Sequence, residues 1–93
     1  MKVVIRQRAR DDLDKIVRWI ALDNPHNAIS VATCILDVIE SKIVLFPRLG
    51  RSGRILGTRE WVMPGLPYII VYKVNDIRDA LVILAVFHGV QNR

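Results

Sequence analysis

The sequence has a single cysteine, Cys34, among its 93 residues. One thiol closes no intramolecular disulfide, so the fold must be held by its core, and a reducing compartment such as the cytosol is the expected location. Long apolar runs are missing. Nothing approaches the roughly 20 consecutive apolar residues that a membrane span requires, and residues 1–6 are too short for the apolar region of a signal peptide. Converging metal ligands are missing too. Cys34, His26 and His88 fall on different predicted elements with no ligand spacing, so no metal and no cofactor is expected. No Gly-x-Ser-x-Gly elbow occurs. The run Gly50-Arg-Ser-Gly-Arg-Ile-Leu-Gly57 lacks the Gly-Lys-Ser/Thr ending of a nucleotide-triphosphate loop and leads into a strand, not a helix. Its backbone N–H groups retain the capacity to cradle one phosphate. Nothing marks Cys34 as an activated nucleophile, and it reads as a helix residue filling a gap.

Acidic residues are scarce in the second half. Residues 1–46 hold seven Lys/Arg and six Asp/Glu, whereas residues 47–93 hold seven against three, within an overall net charge of +5. Arg48, Arg51, Arg54 and Arg59 fall in a stretch with no acid before Glu60. Such a run is either a solvated loop or a patch for phosphates or an acidic protein. Apolar residues make up 52% of the chain, more than a small domain needs for its own core, which leaves apolar surface for a partner chain. The length suits one domain spanning residues 1–93.

Local patterns order the elements. Residues 2–6 read as a first strand centred on β-branched Val3, Val4 and Ile5. From residue 7 to 22 the period changes: Ala9, Leu13, Ile16, Val17 and Ile20 recur at helical spacing. Asp11 and Lys15, and Asp14 and Arg18, form i,i+4 pairs on the opposite face. Asn24 then suits a helix N-cap and Pro25 the first helical position. A second helix is expected from residue 25 to about 46, with Ala28, Ala32, Ile35, Ile39 and Ile43 buried and Pro47 as its stop. The short break predicts an antiparallel helical hairpin. Residues 47–57 read as a loop, and three strands follow at 58–63, 67–74 and 80–87, joined by Pro64-Gly65 and by a polar turn at 75–79. The apolar last strand reads as central, covered on both faces, with a partner supplying the second cover. The fold class is therefore α+β in the order β-α-α-β-β-β, a helical hairpin on a mostly antiparallel curved sheet with the first strand closing one edge.

The candidate site residues follow from this layout. His88 stands past the end of the last strand, where its ordinary pKa suits proton transfer. It is either a polar strand-end residue or a general acid or base. In the second case Arg51, Arg54 and Arg59 would have to reach the same border of the sheet to hold a phosphate. Arg59 and Glu60 are strand neighbours and point to opposite faces. Glu60 is expected to meet a basic side chain on an adjacent strand, with a weaker case for a general base. Trp19, Trp61, Tyr68 and Tyr72 offer stacking surfaces, but Tyr68, Ile70 and Tyr72 share one strand face, a pattern of a core or protein interface. No predicted helix is basic and solvent-facing enough to read a major groove.

Taken together, several pieces resemble the RelE/ParE superfamily of toxins from type II toxin–antitoxin modules. They are Ala9-Arg-Asp-Asp-Leu-Asp-Lys-Ile16, Asn24-Pro25, Phe46-Pro47, Gly53-Arg54, Gly57-Thr-Arg-Glu60, Pro67-Tyr-Ile-Ile-Val-Tyr-Lys-Val74 and Val82-Ile-Leu-Ala-Val-Phe-His88. Their order and spacing cover nearly the whole chain. The resemblance implies a toxin neutralised by a cognate antitoxin that wraps it with a helix or a strand and tends to be acidic. It also implies one of two targets. RelE-like members cut ribosome-bound mRNA and usually carry an arginine near the start of the strand that here begins Tyr68-Ile69, where this chain departs from the pattern. On that branch His88, Arg59 and Glu60 are the candidate catalytic residues. ParE-like members poison DNA gyrase by binding, and their last strand often ends in a His followed by a short polar tail, as in Phe87-His-Gly-Val-Gln-Asn92. This chain stands somewhat closer to that branch. On either branch Arg48, Arg51, Arg54, Arg59, Gln91 and Arg93 are the candidate contacts to nucleic acid or target, with no membrane involved.

Overall fold

The strand order β1-β5-β4-β3-β2 places the first strand at one edge of a five-stranded mixed sheet and two helices on one of its faces. The computed structural model describes residues 1–89. Strand β1 (Lys2–Ile5) leads into α1 (Gln7–Ala21). Then come α2 (Pro25–Val38), a π-helical turn (Ile39–Ile43), β2 (Arg51–Ser52), β3 (Arg59–Val62), β4 (Tyr68–Asn75) and β5 (Ala80–His88). β1 runs parallel to β5, and the remaining pairs are antiparallel.

The local signals act as their chemistry dictates. The Asn24 side chain accepts from the Asn27 N–H at 3.0 Å and Pro25 occupies the first turn of α2. On α1, the expected pair of Arg18 with Asp14 forms at 2.6 Å, whereas Asp11 accepts from Gln7 Nε2 at 2.9 Å in place of the expected pairing with Lys15. The expected α-helix to residue 46 instead ends at Val38 and continues as the π-turn, in which the Val44 N–H reaches back to the Ile39 carbonyl. The reason lies in the buried stripe. In an α-helix each four-residue step overshoots a full turn by about 40°, so Ile35, Ile39 and Ile43 would spiral off the core. The wider π-turn removes that drift, and all three isoleucines are at most 1% exposed. Val31 joins the stripe, and Ala32 is only half-buried. Cys34 is exposed on the outer side of α2, which corrects the expectation of a gap-filling thiol.

The core lies between the helical hairpin and one face of the sheet, on Tyr68, Ile70, Tyr72, Leu81, Ile83 and Val86. Residues 47–57 were expected to be loop throughout, but Arg51 and Ser52 pair with Glu60 and Arg59 as a two-residue edge strand. Between β4 and β5 the register skips: Val71 pairs with Ala85 and Tyr72 with Ile83, leaving Leu84 as the extra residue of a bulge. A bulge bends its strand and sharpens the local twist. On the helix-free face Val82 and Ala85 are each 5% exposed within the single chain.

Candidate functional site

The mid-chain arginines do most of their bonding within the fold. Tyr72 is the hub. Its ring is fully buried, its hydroxyl donates to the Pro47 carbonyl at 2.8 Å, and it accepts from the Gly50 N–H at 3.1 Å. A Cβ at residue 50 would collide with that hydroxyl, so the close approach requires glycine. Directly opposite Tyr72 in the register, Arg59 uses Nη1 to donate to the carbonyls of Arg48 and Gly50, each at 3.0 Å. The loop after the π-turn is thus clamped to the sheet from two side chains. Burial pushes the Tyr72 phenol above its ordinary value of 10.0, against the opposing pull of the Gly50 N–H and the Arg59 charge.

On the other face, Glu60 is 4% exposed and accepts from Arg51 Nη2 at 3.0 Å and Nε at 3.2 Å. The two residues are cross-strand partners of β2 and β3. Arg48 bonds both oxygens of Asp76, at 3.1 and 3.3 Å, in an exposed pair tying the loop to the β4–β5 turn. Arg54 is exposed on the loop that leads to β3. Gln91 and Arg93 lie outside the described residues.

His88 is elsewhere. It is the last residue of β5 and pairs with Tyr68, on the helix side of the sheet, where the two rings meet edge to face with centroids 5.7 Å apart. Lys15, Ile16 and Trp19 of α1 close a hollow of about 320 Å³ around them. Burial raises the Tyr68 phenol above 10.0. Arg59 sits opposite Tyr72, four residues along β4 from the His88 level and two strands across. That spacing is about 13 Å along the strand and about 9.5 Å across it. Arg51 and Glu60 face the opposite side. The structure therefore brings Arg51 to Glu60 and Arg59 to Tyr72, and it does not gather these groups around His88. Among the described residues no group of three His, Cys, Asp or Glu side chains is placed to hold a metal ion, and no helix is long and apolar enough to cross a membrane.

A second feature was not read from the sequence. On the helix-free face, a cleft of about 520 Å³ has Val71, Leu84, Ala85 and Phe87 as its floor. Arg8, Arg54, Ile55, Thr58 and Glu60 complete its lining. Arg8 lies 5.4 Å from the Phe87 ring centroid and 3.5 Å from the Asp12 carboxylate. Asp12 in turn accepts from the Val86 N–H at 3.0 Å, on the edge of β5 that β1 leaves uncovered. The only local signal for Arg8 is its i,i+4 spacing from Asp12. Its meeting with Phe87 is a property of the tertiary fold.

Comparison with known proteins places these features in a family. The family described as "ParE toxin of type II toxin-antitoxin system, parDE" matches residues 3–93. "Putative toxin Y4kP" of Sinorhizobium fredii is 39% identical over 84 residues, which cover 90% of this chain and 83% of that protein. Among solved structures, the chromosomal ParDE system of P. aeruginosa aligns with a TM-score of 0.79 at 22% identity, covering 95% of both chains. The RelBE2 toxin–antitoxin complex of Mycobacterium tuberculosis aligns at 0.70 and 23% identity, covering 94% of this chain and 95% of that one. These two likenesses are of fold.

Proposed function

This chain belongs to the ParE family of type II toxins, and we propose that it acts by binding its target rather than by cutting it, with DNA gyrase as that target. A cognate antitoxin is its inhibitor in the same reading, and the cytoplasm its site of action. The observation that carries the proposal is the separation of His88 from the arginines. In-line cleavage of RNA requires a proton-transfer group and cationic groups within hydrogen-bond reach of one phosphate. His88 lies on the helix side against Tyr68, Arg59 bonds loop carbonyls, and Arg51 bonds buried Glu60 on the opposite face. A binding toxin needs no such convergence. It needs an exposed, charged and apolar surface, and Arg54, Ile55 and Leu56 supply one at the cleft.

Expression of the chain without its antitoxin tests the proposal. The expected result is filamentation and SOS induction, with purified gyrase held on DNA as a cleavage complex. His88→Ala is expected to remain toxic. Rapid translation arrest with codon-linked mRNA ends, abolished by His88→Ala, would replace this reading with a ribosome-dependent endoribonuclease in which His88, Arg59 and Glu60 act on mRNA.

A further inference from the structure

We infer that the outer face of α2 is a self-association surface, on which two copies of this chain pair antiparallel about a two-fold axis. The inference goes beyond the reading of the target and does not depend on it. A shallow groove of about 520 Å³ runs along this face, lined by His26, Ile29, Ser30, Thr33, Cys34 and Asp37. Steps of three and four residues keep these side chains on one side of the helix, turned away from Ala28, Val31 and Ile35 in the core. The order of chemistry along the groove is its own complement when reversed. His26 and Asp37 stand at its two ends, about 16 Å apart and nearly in line, because the step between them is close to three whole turns. Ser30 and Thr33 flank its midpoint. Laid antiparallel on itself, the face sets His26 against the partner's Asp37 and Ser30 against the partner's Thr33, and the two-fold repeats both contacts.

The groups at these positions have bonding capacity to spare. An imidazole donates an N–H to a carboxylate, and Asp37 accepts from Ser41 through Oδ1 at 3.2 Å, which leaves Oδ2 for a partner. The Ser30 hydroxyl donates to the His26 carbonyl at 3.2 Å and keeps its acceptor lone pairs for the partner's Thr33. A parallel pairing would instead set Asp37 against the partner's Asp37, and like charges across an interface oppose association. Ile29, 66% exposed on the flank of the groove, supplies apolar area, while Ser30, Thr33 and Cys34 are small enough for two helices to approach closely. One helix face is small beside the roughly 800 Å² per partner of a standard interface, so the pair is weak. The cleft lies on the far side of the sheet from α2, so pairing leaves both clefts uncovered and joins two target-binding surfaces in one particle.

The test is sedimentation equilibrium of the purified full chain at concentrations up to about 1 mM. Four proteins are compared: wild type, His26→Glu, Asp37→Lys and the swapped pair His26→Glu/Asp37→Lys. Both positions are exposed, and an acid near the start of α2 and a base near its end suit the helix dipole, so the fold is kept. Wild type should show a monomer–dimer equilibrium with a Kd of about 100 µM. His26→Glu sets two carboxylates face to face and Asp37→Lys two donors, and each should weaken the dimer by about 10-fold or more. The swapped pair restores donor against acceptor and should return to within about 3-fold of wild type, or bind tighter. A wild type that stays monomeric throughout would overturn the pairing, as would single variants that dimerise like wild type. A swapped pair as weak as the single variants would refute the antiparallel order. If a variant does not fold, dilution of the wild type decides by NMR: amide shifts at residues 26–37 that move with concentration support the face, and unchanged shifts there refute it. Protection of residues 26–37 from amide exchange when gyrase or antitoxin is added to a monomeric chain would assign the face to that protein instead.

Discussion

Replacing Tyr72 by Phe removes one oxygen from the centre of the fold and keeps its volume. The hydroxyl makes two bonds: it donates to the Pro47 carbonyl and accepts from the Gly50 N–H. Gly50 is buried, so its N–H has no water to turn to once the acceptor is gone. An orphaned buried donor costs about 1–3 kcal/mol. The lost bond to the half-buried Pro47 carbonyl adds roughly 1 kcal/mol. The ring packs as before, so no cavity term enters. The expected loss is about 2–4 kcal/mol, a large share of the roughly 5–15 kcal/mol that holds a typical domain together. For a domain of this size it lowers Tm by roughly 8–25 °C. Urea unfolding of the two proteins measures it directly, since the midpoint should fall while the slope stays the same. Arg59→Ala should show the same direction, because it releases two loop carbonyls. The double variant should lose less than the sum of the two, since both side chains clamp one loop. A Tyr72→Phe protein that unfolds at the wild-type urea concentration would refute the clamp.

Three further outcomes follow from the same contacts. Arg51→Ala leaves the Glu60 carboxylate buried without that partner and should destabilise by about 1–3 kcal/mol, discounted for the half-exposed arginine; adding Glu60→Gln should restore part of the loss, as thermal melting will show. Asp12→Ala orphans the Val86 N–H and should speed amide exchange there before it changes exchange in β4, at a stability cost of about 1–3 kcal/mol. Burial holds both tyrosine phenols above 10.0 in the fold, so their contribution is fully present below pH 10.0 and is lost as pH rises through the folded-state values. Stability followed from pH 8 to alkaline pH should therefore fall above pH 10.0, with Tyr72→Phe showing a shallower decline.

Much of the fold was legible because its signals are local. Asn24-Pro25 states a helix start, Pro64-Gly65 a turn, and the spacing of Ala9, Leu13, Ile16 and Ile20 an amphipathic helix. Each depends on neighbours within one or two turns of chain. The π-turn was not legible, because an isoleucine every fourth residue fits an α-helix until the drift over Ile35, Ile39 and Ile43 is set against a fixed sheet. The bulge at Leu84 was hidden for a similar reason. Residues 80–87 are apolar throughout, and an unbroken apolar run carries no parity from which a skipped residue could be noticed.

The arginines mark the deeper limit. A sequence reports that Arg48, Arg51, Arg54 and Arg59 are close along the chain, and proximity suggested one cationic patch. Strand parity alone divides that patch. Arg59 and Glu60 must face opposite sides, and the register sets Arg59 against Tyr72 and Arg51 against Glu60. One guanidinium is thereby committed to the loop above the helix-side core and another to a carboxylate on the helix-free face. His88 carries the same lesson. Its level in the sheet is fixed by pairing with Tyr68, at the start of β4, whereas the arginines pair near its middle. Arg8 does share a surface with Arg54 although it lies 46 positions away in the chain, and its i,i+4 spacing from Asp12 gives no sign of that neighbour. The charged surfaces of this fold are thus assembled by strand register and by the point where β1 stops and α1 begins, and their charges must be counted by face rather than by segment.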